Sequence, residues 1–318
     1  MELYQQATLF PQESFDPVAD AATLKECMEG LGTDEKPMIE ILGHRTNAER
    51  QNIALSYKTQ FGQDLIDDLK SELSGHFEDA LVALMTPVAD FLASELNKAL
   101  SGLGTKEDTL VEILCTRRNE EIKAITEAYE RLYERSLEDD LKSDTSGDFQ
   151  RLMVSMTVAG REEGPADPDQ AVTDAQALKD AGIDQWGTDE STFNSIFCLR
   201  SYQHLRRVFW EYEKLAGVTI VESISSEMSG DLKAGMLAIA KSIENCPAYF
   251  AEKLHRAMKG FGTDDKALIR IVTSRCEIDM VQIKQEYQKL YEKTLEEAII
   301  GDTSGDYRRL LVTLVEDA

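Results

Sequence analysis

Basic residues are scarce in this chain: 318 residues carry 34 Lys and Arg against 59 Asp and Glu, and 34 − 59 leaves a formal charge of −25. Binding to DNA, RNA or a bare anionic membrane draws most of its affinity from Lys and Arg, so these partners are excluded unless something positive stands between. Cysteine is sparse as well. Cys27, Cys115, Cys198, Cys246 and Cys276 are odd in number, widely spread and never form a C-x-x-C pair. This argues against a disulfide framework or a structural zinc site, and for reduced thiols. The histidines (His44, His76, His204, His255) form no H-E-x-x-H, and there is no Walker A loop and no G-x-S-x-G elbow. The Gly-x-Gly turns follow no strand and lack a third glycine, which removes the dinucleotide fingerprint. No enzymatic activity is expected. No apolar run approaches the ~20 residues needed to cross a bilayer. The first residues show neither a basic nor an apolar signal region, so a soluble, cytoplasmic chain is expected.

What is present is a unit written four times. Gly-Thr occurs at 32–33, 104–105, 187–188 and 262–263. Counting from each Gly as zero, position +3 is acidic (Glu35, Glu107, Glu190, Asp265) and +9 is Ile (Ile41, Ile113, Ile196, Ile271). Position +13 is Arg (Arg45, Arg117, Arg200, Arg275) and +25 is Tyr (Tyr57, Tyr129, Tyr212, Tyr287). Position +40 is acidic again (Glu72, Asp144, Glu227, Asp302), and Ser-Gly follows at +42 and +43. So many matched columns cannot be chance. The units span 15–87, 88–158, 169–243 and 246–318. A tail covers 1–14, and a Gly-, Pro- and charge-rich linker lies at 159–168. Apolar residues recur at steps of three and four, and no alternating strand pattern appears, so the fold class is all-α with about five helices per unit. The Thr of each Gly-Thr reads as a helix N-cap with acids in the first turn behind it, and Ser-Gly as the start of another helix.

Two features keep a fixed separation: a glycine-rich turn between helices and a carboxylate 40 residues beyond its Gly-Thr. Glycines allow successive carbonyls to point at one focus. Calcium takes about six to eight hard oxygens in loose geometry, and carbonyls plus one bidentate carboxylate supply about five of them. Glu72, Asp144, Glu227 and Asp302 are the candidate caps. Helix capping alone would explain one copy, but capping needs no distant partner. The DTSGD stretches are not EF-hands, because the glycine comes one residue early and no Glu stands at loop position 12.

The M-x-G-x-G-T loop, its acidic cap, the four units and the central linker resemble the annexin family over residues 15–318. The resemblance implies four repeats of about five helices each in a slightly curved, right-handed superhelical disc, with Ca²⁺ as cofactor. It also implies calcium-dependent, peripheral attachment to anionic phospholipid membranes, calcium bridging the loops to lipid phosphates, and possible self-association there. The short tail is similar to that of annexin V-like members. Carried over, the ligands are the carbonyls of Met28, Gly30 and Gly32 with Glu72, of Leu100, Gly102 and Gly104 with Asp144, and of Met258, Gly260 and Gly262 with Asp302. Repeat three departs from the pattern, with Gln185 where a glycine stands elsewhere; a lengthened loop would still offer Gly182, Gln185 and Gly187 with Glu227. Thr33, Glu35, Glu107, Glu190 and Asp265 are candidates for secondary ions, with first-turn dipole pairing as the other reading. Leu31, Leu103, Trp186 and Phe261, at the loop tips, either enter the headgroup region or pack on their own repeat. The rival reading of the chain is a calcium-independent helical-repeat scaffold for proteins.

Overall fold

The computed structural model describes residues 6–30, 32–102, 104–182, 188–260 and 262–316. Among the described residues all regular elements are helices. Repeat one contains α1 (Pro17–Cys27), α2 (Glu35–Leu42), α3 (Asn47–Phe61), α4 (Leu65–Glu72) and α5 (Gly75–Met85). Repeat two contains α6 (Val88–Leu100), α7 (Glu107–Leu114), α8 (Asn119–Tyr133), α9 (Leu137–Asp144) and α10 (Gly147–Thr157). Repeat three has α11 (Pro168–Ala181), α12 (Glu190–Leu199), α13 (Tyr202–Ala216) and α14 (Ile220–Glu227). Then α15 (Gly230–Met258) joins the fifth helix of repeat three to the first of repeat four, with a break at Asn245 (φ −153°, ψ 87°) just before Pro247. The Asn245 side chain accepts the Ala248 N–H at 3.0 Å and so caps the second half. Repeat four continues with α16 (Asp265–Arg275), α17 (Met280–Tyr291), α18 (Leu295–Asp302) and α19 (Gly305–Val315).

Local chemistry repeats with the sequence. Asp16 and Asp167 each cap a helix that begins with proline, α1 and α11, whose first N–H is not needed. Thr46, Thr219 and Thr294 close capping boxes with Glu49, Glu222 and Glu297. The third helix of every repeat ends in a left-handed residue: Gly62, Glu134, Gly217 and Glu292.

The chain forms two compact bodies, residues 1–91 with 250–318, and residues 92–249. In the first, α2, α5, α16 and α19 pack on one another and α1 lies on α3. Gly43, at the end of α2, permits the close approach of α19: a Cβ there would sit 2.8 Å from the Thr313 methyl. In the second, α11 packs along α13, and α10 contacts α7 and α12. The +25 tyrosines are buried in all four repeats.

The +13 arginines anchor helices. Arg45 forms a two-point ion pair with Asp20 (2.7 and 3.2 Å), and Arg200 does the same with Asp174 (2.7 and 3.3 Å). Arg275 pairs with Asp279 one turn on, at 2.8 Å. Arg117 donates to the carbonyls of Glu112 and Ile113, each at 3.4 Å. Residues 6–12 of the tail dock on the first body. The N–H groups of Thr8 and Leu9 donate to the Cys276 carbonyl (2.9 and 3.2 Å), the Thr8 hydroxyl to the Leu314 carbonyl (2.6 Å), and the Gln12 N–H to Glu49 (2.8 Å).

All five cysteines are free thiols. Burial pushes the Cys198 and Cys276 thiols up to about 12, and Cys115 higher still, so these three are not reactive thiolates. No helix among the described residues is long and apolar enough to cross a membrane.

Candidate metal centres

Each glycine-rich turn is closed by one backbone hydrogen bond across its base. Asp34 N–H donates to the Cys27 carbonyl (3.0 Å), Lys106 to Ala99 (3.0 Å), Asp189 to Ala181 (2.8 Å) and Asp264 to Ala257 (2.8 Å). The bridged residues are seven apart in repeats one, two and four (34 − 27, 106 − 99, 264 − 257) but eight apart in repeat three (189 − 181). The span closed by this bond is therefore one residue longer in repeat three.

Inside the loops, Gly30 and Gly32 have φ of 110° and 93°, and Gly260 and Gly262 have 115° and 89°. A Cβ at any of these four positions would meet nothing within 4 Å, so the glycines are required by backbone conformation and not by crowding. Gly104 follows at φ 89°, whereas Gly102 lies outside the left-handed region. The second loop thus shares the Gly-Thr geometry of loops one and four but not that of their first glycine. Leu31, Leu103, Gln185, Trp186, Gly187 and Phe261 lie outside the described residues.

Each cap is the last residue of a short helix: Glu72 of α4, Asp144 of α9, Glu227 of α14 and Asp302 of α18. The chain then turns through an extended residue and a Ser into a glycine with φ of 68°, 62°, 62° and 63° at Gly75, Gly147, Gly230 and Gly305. Ser74, Ser146 and Ser304 occupy N-cap positions but make no capping bond, so Ser-Gly serves here chiefly through the glycine's backbone.

The distance of 40 residues is closed by the loop threonine. Thr105 Oγ1 donates to the Asp144 carbonyl (2.9 Å) and Thr188 to the Glu227 carbonyl (3.5 Å). Thr263 reaches both the carbonyl (3.3 Å) and the carboxylate (2.5 Å) of Asp302. This corrects the N-cap reading of these threonines. The caps are the following residues, Asp34, Asp189 and Asp264, whose side chains accept helix N–H groups, while Lys106 takes that position in repeat two without a side-chain bond. In repeats three and four an Asx cap one residue on leaves the threonine hydroxyl to tie the two turns together.

The acids at +3 are the first helical residues of α2, α7, α12 and α16, where their charge favours the helix dipole. Asp265 also faces His76 Nε2 at 3.3 Å, and Asp79 faces the other ring nitrogen at 3.5 Å. Glu35 and Glu72 line one cavity of about 380 Å³ together with Ser74, His76 and Asp306. Among the described residues no three His, Cys, Asp or Glu side chains converge as a metal cluster. A site built mainly from main-chain carbonyls would not produce one. Hard oxygens from carbonyls with one carboxylate suit calcium rather than a nitrogen- or sulfur-seeking metal.

A family model described as annexin matches residues 19–84, 91–156, 173–239 and 249–314. Human annexin A11 is 48% identical over 308 residues, 96% of this chain and 61% of its own length. Human annexin A4 is 49% identical over 308 residues, 96% of this chain and 97% of its own. The chain thus spans about three fifths of annexin A11 and nearly all of annexin A4. Among solved structures it superposes on annexin III with a TM-score of 0.96 at 44% identity, covering 99% of both chains. It also matches a calcium-bound annexin (Sm)1, with a TM-score of 0.90 at 36% identity, covering 98% of this chain and 93% of that one.

Proposed function

The chain belongs to the annexin family, and from that premise we propose that it binds anionic phospholipid membranes in a calcium-dependent, peripheral manner. The reading takes the repeats as 15–87, 88–158, 169–243 and 246–318. It takes as ligands the carbonyls of the three glycine-rich loops with Glu72, Asp144 and Asp302, and in repeat three the longer loop from Gly182 with Glu227. When bound, calcium supplies positive charge at each loop and open coordination positions for lipid phosphate oxygens.

The observation that carries this reading is the threonine hydroxyl seated on the cap residue 39 positions away in repeats two, three and four. That bond ties the end of the glycine-rich turn to the main-chain carbonyl of the cap residue in three repeats, and in repeat four also to the carboxylate. Helix capping requires no such link. The chain's own charge of −25 repels an anionic leaflet, so attachment needs the added positive charge. Each loop brings little negative charge, so affinity for calcium without lipid is weak, on the order of 10⁻⁵–10⁻³ M. Several weak sites on one chain then bind a membrane with avidity.

Co-sedimentation with phosphatidylserine vesicles tests the proposal. Binding is expected in calcium and release in EGTA. Undiminished binding in EGTA would overturn it, and absence of binding in both would favour a calcium-independent protein scaffold.

A further inference from the structure

The residue directly after each Ser-Gly is acidic in three repeats, Asp148, Asp231 and Asp306, but it is His76 in repeat one. An acid there favours the helix dipole, and a histidine gives that contribution up. The next position holds Phe77, Phe149 and Leu232, but Tyr307 in repeat four. The two exceptions meet. The His76 and Tyr307 rings lie 5.6 Å apart, and both line the cavity of about 380 Å³ in the first body.

Each ring nitrogen of His76 faces a carboxylate. Asp79, one turn along α5, stands 3.5 Å from Nδ1, and Asp265, the first residue of α16, stands 3.3 Å from Nε2. A charge-assisted hydrogen bond is about 2.7–2.9 Å long, so the gap to Asp265 is wide for one. Two ligands on a tetrahedral zinc ion, with bonds of about 2.0–2.2 Å, stand about 3.4 Å apart. Tyr307 gives an independent sign. It is 8% exposed, and its hydroxyl has no hydrogen-bond partner among the described residues. A buried hydroxyl ordinarily finds a partner, yet this one lines a polar cavity without one. Burial first, and the nearby Asp265 charge second, push its pKa up, so it stays a donor.

We propose that His76 Nε2 and the Asp265 carboxylate hold a zinc ion that ties repeat one to repeat four. Asp79 accepts the Nδ1–H and so keeps the lone pair on Nε2, the role of an outer carboxylate behind a zinc-bound histidine. The Tyr307 hydroxyl donates to the Asp265 oxygen that the ion leaves free. Because Asp79 and Asp265 face different ring nitrogens, the site has two protein ligands rather than a cluster of three, and water completes it. Nitrogen beside oxygen selects zinc, whereas calcium takes hard oxygens alone. His76 is half exposed, so an ion reaches it from solvent, and Glu35, Glu72 and Asp306 in the same cavity add a field that attracts a cation.

Zinc titrations of the full chain by calorimetry, in excess calcium to fill the all-oxygen sites, test the proposal. One saturable zinc per chain is expected, together with a shift of the His76 ring resonances in NMR spectra. His76→Gln should abolish that binding. Asp79→Asn and Tyr307→Phe leave both direct ligands in place and should each weaken it about tenfold, the usual effect of losing an outer-shell partner. Since the ion binds only the folded first body, zinc should raise the melting temperature of the parent and not that of His76→Gln. Absence of saturable binding in the parent, equal binding in His76→Gln, or unmoved His76 resonances would overturn the site and leave His76 an ordinary ion-pair partner. Unchanged zinc affinity in both Asp79→Asn and Tyr307→Phe would overturn it as well. None of these outcomes bears on calcium-dependent attachment to lipid, which the vesicle experiment above decides separately.

Discussion

The Thr263 hydroxyl bridges two turns that are 39 residues apart, and removing it separates the consequences of fold and function. Thr263→Val should cost about 1 kcal/mol of stability, the net worth of one such hydrogen bond. It should also raise the calcium needed for vesicle binding, because the Asp302 carboxylate loses its tether; Thr263→Ser should restore both. Glu72→Gln combined with Asp144→Asn should move the calcium midpoint upward with little change in melting temperature, since both caps stand at exposed helix ends. An unchanged midpoint would mean that these carboxylates are not the caps. The invariant columns made the candidate residues legible from the chain alone, but not what each column does. Thr at +1 looked like a helix cap because Thr usually is one. In repeats two, three and four its partner is a main-chain carbonyl, which no pattern of side chains announces. The position 11 after each tyrosine (Asp68, Asp140, Ser223, Ala298) escaped notice because it varies, although Asp68, Asp140 and Ser223 each bond to the tyrosine hydroxyl of their repeat.

At the level of helices, the pair formed by α11 and α13 carries the clearest titratable contact. Asp174 is 4% exposed and accepts from Arg200, Gln170 and His204. Burial pushes its carboxyl up, but the hydrogen bonds from Arg200, Gln170 and His204, with the Arg200 charge, outweigh that and hold it below the usual carboxylate range. A depressed carboxyl contributes stability that is fully present above its unfolded value of about 4 and is lost as pH falls through the lower folded value. Thermal melts of Asp174→Asn against the parent should therefore show a stability difference at pH 7 that narrows below about pH 4. A difference constant with pH would rule out this linkage. Asp174→Ala at neutral pH should cost about 3–5 kcal/mol, because Arg200 and His204 lose a buried partner. Helix type and number were readable from the three- and four-residue apolar period. The boundary inside α15 was readable too, because Pro247 signals one and Asn245, with non-helical backbone, caps the second half. The docking of tail residues 6–12 was hidden: nothing in their composition shows that Thr8 and Leu9 bond to the Cys276 carbonyl.

For the whole molecule, the excess of 59 acids over 34 bases sets the terms of the membrane attachment proposed above. On that proposal lipid and calcium must raise each other's affinity by the same factor, since each completes the other's contacts. Calcium titrations with and without phosphatidylserine vesicles should differ by that factor, and the same factor should appear when lipid is titrated at low and saturating calcium. Repeat number and spacing pointed to this proposal in the sequence, whereas the division into two bodies that pair repeat one with four and two with three depends on packing between distant segments. The central claim is that bent backbone loops and remote helix-end carboxylates hold calcium jointly. Crystals grown or soaked in calcium test it most directly. The account predicts ions about 2.3–2.6 Å from the carbonyls of Met258, Gly260 and Gly262 and from the Asp302 carboxylate, with equivalent ions at Glu72 and Asp144. Ions bound elsewhere, or loops left empty with the carboxylates turned aside at saturating calcium, would contradict it.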